Sequence, residues 1–413
     1  MFENVLGQNA AVQLCKDIGS GKLAPAMLFH GPPSSGKGTA GLELARYISC
    51  ENVKVKAAWN CSCSACARHR MLLHQDLLCL GSRNFSAETA AAAAAFLRET
   101  ENAGAEILFI RSVRKLLARF NPVLWEDESK VSKINPIVSA LEEDLDVLEN
   151  GKREKESFEK IISSVTKNAF KLESEGITDA IPIGQLRRSA AWAHLLPSGN
   201  GKILIIENAD RMQEGARNSL LKLLEEPPEK VTLILTTTRQ KTLLPTILSR
   251  LRPYRFEKRD AETQKDVIRR VFRSAEQRPA NSESKTTVEE NLIEAYLDSF
   301  LPVSAGTIEK LASMFADSAA NKTSSAEKVI SIIIKEAEGF QQHNLFSRFL
   351  TALLDNVLKA NRIAAPSPRQ ITCLELWKKS CAEAESAVSV YNQTPVLALE
   401  RLFNNVTTGM AGI

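Results

Sequence analysis

Short apolar runs alternate with helical patterns in the first part of the chain. Residues 10–18 and 39–48 place apolar side chains at helical spacing, as Leu42, Ala45 and Ile48 do in the second segment. Four runs are apolar enough to be strands buried on both faces: Ala26–His30, Leu77–Leu80, Ile203–Ile206 and Val231–Leu235. Because helices separate such strands, the pattern predicts a parallel α/β sheet.

This alternation stops between about Ser82 and Asp179. An alanine run there leads into charged, helix-forming sequence. We predict an inserted helical hairpin or small bundle, with a solvated charged linker as the alternative. After Glu257 the strand patterns end and helical patterns continue. The chain therefore divides into an α/β core over 1–256 and two helical domains, over 257–318 and 319–413.

Composition narrows the class of protein. The chain has 413 residues, enough for two or three domains, and its 44% hydrophobic and 25% charged residues are typical of globular proteins. The net charge of +4 is too small to indicate nucleic-acid binding by the whole surface, so DNA contacts would need a local patch or partner proteins. The N-terminus lacks the features of a signal peptide, and the low-polarity stretch Ala90–Leu97 is far shorter than the ~20 residues of a membrane helix. We therefore predict a cytoplasmic protein.

A glycine-rich loop follows the first predicted strand and precedes a predicted helix. Its residues match the phosphate-binding pattern G-x-x-x-x-G-K: Gly31, Pro32, Pro33, Ser34, Ser35, Gly36, Lys37, Gly38 and Thr39. Backbone amides and the helix dipole would bind phosphates, and Lys37 would reach the outer ones. The residue after the lysine usually holds Mg²⁺ through a hydroxyl, but here it is Gly38, with Thr39 one step later. We predict that the loop binds ATP or ADP, with Mg²⁺ as a candidate companion ion; an unused relic loop is the alternative.

Four of the eight cysteines fall between positions 50 and 66. Without a secretion signal, such a cluster indicates a metal site in preference to disulfides. Four thiolates would close a tetrahedral structural Zn²⁺ site, with these ligands: Cys50, Cys61, Cys63 and Cys66. A set of free thiols is the alternative. His69 and His74 could substitute as ligands, although each is more typical of an ordinary surface or core histidine.

The predicted strand Ile203–Ile206 ends in Glu207-Asn208. A P-loop ATPase that hydrolyses ATP usually has Asp-Glu at this place, where the aspartate orients Mg²⁺ and the glutamate activates water. Asn208 is neutral and cannot accept a proton from water. Asp210, three residues after Glu207, is expected to point elsewhere. The sequence therefore predicts weak or absent ATPase activity of the chain itself.

Several motifs, in this order, resemble the bacterial clamp-loader branch of the AAA+ family. The glycine-rich loop is followed by a cysteine module, as in the family's γ/τ and δ′ subunits, although the first gap between cysteines is longer and the second shorter than in the family pattern. Five further segments carry the resemblance: Phe2–Gln8, His74–Asp76, Asn218–Pro228, Thr236–Thr238 and Leu248–Leu251. Residues 1–81 and 181–256 match well, the C-terminal part matches loosely, and the Ser82–Asp179 insertion has no counterpart.

This resemblance implies roles for individual residues. Thr237 corresponds to the sensor-1 position, and Glu207 lies at the strand end that faces the nucleotide. Arg250 matches the arginine that reaches the ATP site of a neighbouring subunit and stabilises the transferred phosphate. Glu309 stands where a sensor-2 arginine is expected. A chain that loses its own catalytic groups and keeps Arg250 resembles a δ′-type stator, while a structural loop arginine is the alternative for Arg250.

The same resemblance implies a lid domain over 257–318 and a collar domain over 319–413 that holds the chain in a ring. The expected partners are γ/τ ATPase subunits, a clamp-opening δ subunit, the sliding clamp and primer–template DNA. Three other interpretations stay open from the sequence. They are a γ/τ-type motor with an unusual site, a phosphotransferase resembling adenylate kinase (which also carries Gly-Lys-Gly-Thr), and a purely structural protein.

Overall fold

The computed structural model describes residues 2–126, 128–150, 155–273, 291–301, 303, 305–321, 325–336, 342–360, 367–389, 391 and 393–411. The chain forms two compact units. The first comprises Met1–Leu172 and Gly176–Leu297, and the second comprises Glu173–Glu175 and Asp298–Ile413. Within the described ranges, none of the helices combines the length and the apolar character needed to cross a membrane.

A five-stranded parallel sheet forms the centre of the first unit, which confirms the predicted α/β class. Its strands are β1 (Ala26–His30), β2 (Leu77–Leu80), β3 (Lys202–Ile206), β4 (Val231–Thr237) and β5 (Arg252–Arg255). They lie in the order β2-β3-β4-β1-β5, and every neighbouring pair is parallel. The strand patterns found in the sequence correspond to β1–β4. The edge strand β5 was missed because its sequence is polar and contains a proline.

The helices of the first unit surround this sheet and fill the insertion between β2 and β3. Their bounds are α1 (Asn9–Gly19), α2 (Lys37–Ser49), α3 (Ser64–Arg70), α4 (Phe85–Arg98), α5 (Ala103–Leu117), α6 (Pro122–Trp125), α7 (Val131–Asn150), α8 (Lys155–Gly176), α9 (Ile183–Ala193), α10 (Glu214–Glu225), α11 (Pro245–Leu248), α12 (Ala261–Phe272) and α13 (Leu292–Asp298). Three short 3₁₀ turns add to them, at Ala118–Phe120, Ala209–Arg211 and Gln240–Thr242.

Two apolar cores cover the two faces of the sheet. Alternate residues of a strand enter opposite cores: Leu204 and Ile206 of β3 pack with α9 and α10, whereas Ile203 and Ile205 pack with α1 and α2. Burial on both faces explains the continuous apolar runs in the sequence. The arrangement places the carboxyl ends of β1, β3 and β4 at one edge, where α2 begins.

The insertion has an apolar core of its own. Phe85, Phe96 and Phe109 are fully buried in it, together with residues of α7 and α8. α4 and α5 pack against each other, and asparagine side chains at 84 and 102 accept hydrogen bonds from the first turns of these helices. The two ends of the insertion meet, because Ser82 Oγ donates a hydrogen bond to the carbonyl of Asp179 (3.3 Å). The segment is thus a helical bundle that leaves and rejoins the sheet at one place.

The second unit contains helices only, within the residues described. Besides Glu173–Glu175 of α8 and Asp298 of α13, it comprises α14 (Ala305–Asn321), α15 (Ala326–Glu336), α16 (Gln342–Ala360), α17 (Pro368–Ser389) and α18 (Pro395–Ala411). One core joins them, with Phe315 of α14 against Phe349 and Phe403. The domain boundary expected between residues 318 and 319 therefore falls inside α14, whose apolar face packs with the helices that follow it. The structural division lies instead between Leu297 and Asp298.

Candidate functional site

The glycine-rich loop joins β1 to α2 at the carboxyl edge of the sheet. Gly31 has a φ of 144°, and a Cβ there would lie 2.1 Å from the carbonyl oxygen of Phe256. Gly36 has a φ of 95° and immediately precedes α2. Only glycine adopts these conformations without strain. The loop therefore turns tightly in front of a helix N-terminus, where the helix dipole favours an anion.

Lys37, the first residue of α2, folds back over this loop. Its side chain is buried, and its Nζ donates hydrogen bonds to the carbonyl oxygens of Gly31 (2.8 Å) and Pro32 and to Ser35 Oγ (3.2 Å). Burial lowers the pKa of Lys37 to about 8, while the nearby carboxylate of Glu207 opposes that shift. The ammonium is therefore mostly charged at neutral pH and lies where a phosphate would contact the loop.

Glu207, the residue after β3, forms ion pairs with two arginines of the insertion. Its Oε2 lies 2.6 Å from Nη2 of Arg119, and both side chains are nearly buried, at 9% and 6% exposure. Its Oε1 lies 3.5 Å from Nη1 of Arg83. Burial acts to raise the pKa of Glu207, but the charges of Arg83 and Arg119 hold it below its ordinary value. The strand-end carboxylate is thus ionised and engaged within the chain.

Position 38 lies directly against these ion pairs. A Cβ on Gly38 would be 2.7 Å from Oε1 of Glu207 and 3.4 Å from Nη1 of Arg83. Gly38 has no hydroxyl to bind a cation, and Thr39 is exposed, about 100° further round α2. Mg²⁺ needs oxygen ligands in nearly octahedral geometry, and both oxygens of Glu207 face guanidinium groups. These residues do not fit a Mg²⁺ ion.

Asn208 serves the fold at the end of β3. It has a left-handed backbone with a φ of 50°, and its Nδ2 donates a hydrogen bond to the carbonyl of Ser82 (2.7 Å). Its backbone N–H donates to Thr236 Oγ1 (3.4 Å). The side chain therefore holds the strand end against the start of the insertion, and a neutral amide cannot act as a base toward water.

Thr237 and Asp210 lie together at the same edge of the sheet. Thr237 is fully buried, and its hydroxyl donates a hydrogen bond to Oδ1 of Asp210 (2.6 Å). The expectation that Asp210 points elsewhere was wrong. The chain leaves β3 through the left-handed Asn208 and the 3₁₀ turn Ala209–Arg211, and the charge of Asp210 acts to raise the pKa of Lys37. Asp210 therefore belongs to the polar groups around the loop.

A segment after β5 fastens the N-terminal residues to the glycine-rich loop. Gln8 exchanges two hydrogen bonds with the backbone of Glu257, at 2.8 and 3.0 Å. The buried Arg259 donates to the carbonyl oxygens of Leu6 (3.0 Å) and Ser34 (2.5 Å). The opening segment of the chain is thus held beside the loop.

The cysteine cluster follows α2 directly. The Sγ atoms of Cys50, Cys61, Cys63 and Cys66 lie within 4.8 Å of one another. Cys50 Sγ is 3.8 Å from Cys61 Sγ and 3.9 Å from Cys63 Sγ. Four sulfurs at a Zn–S distance of ~2.3 Å in a tetrahedron are separated by about 3.8 Å. The cluster could therefore hold a tetrahedral metal ion with no ligand position left open.

Arg46 ties this cluster to α2. Its guanidinium is buried and donates hydrogen bonds to the carbonyl oxygens of Ala57 (3.0 Å) and Ala58 (2.9 Å) and a longer one to Cys66 Sγ (3.7 Å). Such contacts orient ligands and partly balance thiolate charge. Among the residues that the structure describes, the potential metal ligands grouped here are the four cysteine sulfurs, without a histidine. His69 and His74 instead stack on each other with ring centroids 4.2 Å apart, and burial lowers the pKa of His69 to about 3.

Arg250 lies at the surface, just after α11. Its side chain is 34% exposed, and its Nη1 donates a hydrogen bond to the carbonyl of Thr246 (2.7 Å). Its Nη2 lies 2.8 Å from Oε1 of Glu225, the last residue of α10, which is 51% exposed. The guanidinium is thus positioned by weak, solvent-accessible contacts that another protein could replace.

Glu309, the residue at the expected sensor-2 position, belongs to the second unit. It is exposed on α14, and its carbonyl accepts a hydrogen bond from Asn356 Nδ2 (3.2 Å). The residues around the loop that the sequence did not reveal are Arg83, Arg119 and Arg259. No local motif marks them, because Arg119 and Arg83 lie 88 and 124 positions from Glu207.

Comparison with known proteins gives short matches to curated relatives. The δ′ subunit of DNA polymerase III from Bacillus subtilis (strain 168) is 45% identical over 56 residues, which are 14% of this chain and 17% of that protein. The δ′ subunit from Pseudomonas aeruginosa is 37% identical over 82 residues, 20% of this chain and 25% of that protein. The γ/τ subunit from Mycobacterium bovis is 34% identical over 70 residues, 17% and 12% of the two chains. The chain thus spans a quarter or less of these relatives.

A solved structure of a DNA polymerase III, gamma subunit-related protein from Thermotoga maritima is also similar. Its sequence is 17% identical, with a TM-score of 0.27 over 56% of this chain and 81% of the other. The chain also matches a protein family described as "DNA polymerase III, delta subunit", whose sequence model covers residues 7–260. That range includes the glycine-rich loop, the cysteine cluster, the insertion and Arg250, and it exceeds half of the 413 residues. The chain belongs to the DNA polymerase III, delta subunit family.

Proposed function

We propose that this chain is the δ′-type subunit of a DNA polymerase III clamp loader. In this role it is a stator: it completes the ATP site of a neighbouring subunit and helps to place the sliding clamp on primed DNA. Membership of the DNA polymerase III family supports the proposal, as do the matches to δ′ subunits from two bacteria. Its partners would be γ/τ-type ATPase subunits, a δ subunit, the clamp and primer–template DNA.

The observation that carries this proposal is the contrast between Arg250 and the chain's own strand end. Arg250 is exposed and held by one surface ion pair, so a neighbouring nucleotide can attract it at small cost. The strand end offers Asn208 in place of a general base and a carboxylate already paired with Arg119. A chain with this pair of features donates an arginine and has little means of hydrolysing ATP itself.

The δ′-type role also implies ligands and domain roles for the rest of the chain. The glycine-rich loop and Thr237 would bind ATP or ADP, and the four cysteines would hold a structural Zn²⁺. The lid expected over 257–318 would end before α14, and the helices α14–α18 would form the collar that joins the loader ring. The apolar core shared by α14–α18 supports a C-terminal domain that folds as one body.

The test is a loader reconstituted with its cognate partners and carrying Arg250→Ala. An arginine finger contributes about a thousandfold or more to hydrolysis at the site it serves. We expect that site to stop turning over and clamp loading on primed DNA to fall with it. Arg250→Lys should rescue little, because a lysine lacks the planar fork of donors. Arg269→Ala removes another exposed, ion-paired arginine and should leave both assays unchanged. Unaltered ATPase and loading in Arg250→Ala would refute the stator role.

A γ/τ-type motor is the second candidate, favoured by the match to the mycobacterial γ/τ subunits. It predicts ATP turnover by the purified chain that Lys37→Ala abolishes. The stator predicts little turnover in either protein. Measuring ATP hydrolysis by the chain alone, with and without primed DNA, separates the two.

The zinc assignment has its own measurement. We expect one equivalent of Zn²⁺ in the purified protein, and loss of that metal in Cys66→Ser. Because the three remaining thiols of the cluster are then left without their ion, thermal stability should drop. Cys381→Ser, at a buried cysteine of α17 outside the cluster, is the control that should retain the metal. The zinc site would be contradicted if the purified protein contained no metal and its thermal stability were the same with and without a chelator.

A further inference from the structure

The groups that the insertion places in front of α2 form a charged cluster, which we call the arginine cluster: Arg83, Glu88, Lys115, Arg119 and Glu207. Arg83 pairs with Glu88 (2.5 Å) and with Glu207, Arg119 pairs with Glu207, and Lys115 contacts Glu88. Three cations face two carboxylates, so the cluster has one surplus positive charge. Lys37 lies beside the cluster and interacts electrostatically with Glu207 and Asp210.

The cluster occupies the space in front of position 38. In a site that binds Mg²⁺, the side chain at this position supplies a hydroxyl ligand. Here the Cβ that would carry it lies 3.4 Å from Nη1 of Arg83 and 2.7 Å from Glu207 Oε1. A divalent ion at this place would meet Arg83 and Arg119 at close range, and each carboxylate oxygen of Glu207 already faces one of these guanidinium groups.

Arg83 is the member of the cluster that a ligand can reach. Its side chain is 30% exposed, whereas those of Arg119 and Glu207 are nearly buried. A guanidinium has five donors and binds phosphate oxygens with two parallel hydrogen bonds. Arg119 keeps Glu207 neutralised, so the carboxylate does not repel an incoming phosphate.

We infer that Arg83, supported by the Arg119–Glu207 pair, takes the place of the divalent cation, so that the glycine-rich loop binds the phosphates of a nucleoside di- or triphosphate without Mg²⁺. The inference concerns this chain alone. It does not depend on the stator role, which needs Arg250 and no nucleotide of its own.

The experiment is titration of the purified full chain with ADP, by calorimetry, in excess EDTA and in excess Mg²⁺. We expect binding that is no tighter in Mg²⁺ than in EDTA. Arg83→Ala should weaken ADP binding about tenfold or more, because a charge-assisted hydrogen bond contributes about 1.5–3 kcal/mol. Arg83→Lys keeps the positive charge but loses the planar set of guanidinium donors. Its affinity for ADP should therefore lie between those of the wild-type chain and Arg83→Ala.

Arg188→Ala is the matched control, since Arg188 is also partly exposed (23%) and paired with a glutamate, Glu128, away from the loop. It should bind ADP as the wild-type chain does. Thermal unfolding of each variant checks that it is folded. Affinity that falls about tenfold in EDTA would overturn the inference. So would the absence of ADP binding in both buffers, or unchanged binding by a folded Arg83→Ala chain.

Discussion

Two arginine–glutamate pairs in the first unit use the same chemistry in opposite surroundings. Arg119 and Glu207 are nearly buried, at 6% and 9% exposure, and lie 2.6 Å apart beside the glycine-rich loop. Arg250 and Glu225 are 34% and 51% exposed and 2.8 Å apart at the surface. The separations are almost equal, so distance does not distinguish the pairs. Access to water does.

The difference in exposure to water indicates that the two pairs serve different purposes, one within the chain and one toward other molecules. Removing one member of a buried pair leaves an unpaired charge in a medium that solvates it poorly, so the buried pair is fixed once the chain has folded. At the surface, water replaces a lost partner, and the exposed pair can open at little cost. Burial thus assigns Arg119 to the chain's own site and leaves Arg250 available to another molecule.

The sharpest test of the comparison is Arg119→Ala. We expect it to lower the free energy of unfolding by about 3 kcal/mol, because Glu207 is left charged and nearly buried with the more distant Arg83 as its arginine partner. Denaturant unfolding of the full chain measures the change. In the double variant Arg119→Leu, Glu207→Leu neither charge remains, and most of the loss should be recovered. A loss below about 1 kcal/mol in the single variant would mean that water reaches Glu207.

The pH dependence of stability should distinguish the buried network from the exposed pair. Burial acts to raise the pKa of Glu88, but Arg83 and Lys115 lower it to about 2. Because the folded pKa lies below the unfolded value near 4.5, this stabilisation is complete above pH ~4.5 and is lost as the pH falls toward about 2. The advantage of the wild-type chain over Glu88→Gln should therefore shrink by about 3 kcal/mol across that window.

Unfolding free energies at several pH values, for both proteins, give that difference directly. Glu225→Gln is the control at the exposed pair, where we expect a change below about 0.5 kcal/mol. A wild-type advantage that stays constant from pH ~5 to ~2 would show that Glu88 is not part of an ionised network.

The smallest expected effect is that of Arg250→Ala on stability. An exposed ion pair contributes little, so the free energy of unfolding should change by less than about 0.5 kcal/mol. Thermal unfolding of the purified variant beside Arg119→Ala provides the measurement. A loss comparable to that of Arg119→Ala would make Arg250 a structural residue and would remove the contrast between the two pairs.

The sequence predicted the parts of the molecule that are local in the chain. The strands β1–β4 are continuous apolar runs because both faces of the sheet are covered. The cysteine cluster was predictable because its four residues lie within one short segment. The loop was predictable because glycine is required by its backbone at positions 31 and 36.

The arginine cluster could not be predicted in this way. Arg83 and Arg119 lie in a charged, helix-forming segment where arginines usually face water, and only the folded insertion brings them to Glu207. Asp210 was misplaced because counting along a strand assumes that the chain stays extended. The left-handed Asn208 and the 3₁₀ turn after it end the extended conformation instead. Long-range contacts determine the position of the arginine cluster, and the backbone angle of one residue determines the position of Asp210.

The two ends of the insertion lie close together, which suggests that the insertion could be deleted from the chain. Ser82 contacts Asp179, so joining these residues directly would span little distance and would leave the sheet's connections unchanged. Such a shortened chain would nevertheless lose Arg83 and Arg119, and with them both ion pairs of Glu207. The helical bundle could therefore be removed without breaking the connections of the sheet. Its removal would nevertheless change the charges that surround the glycine-rich loop.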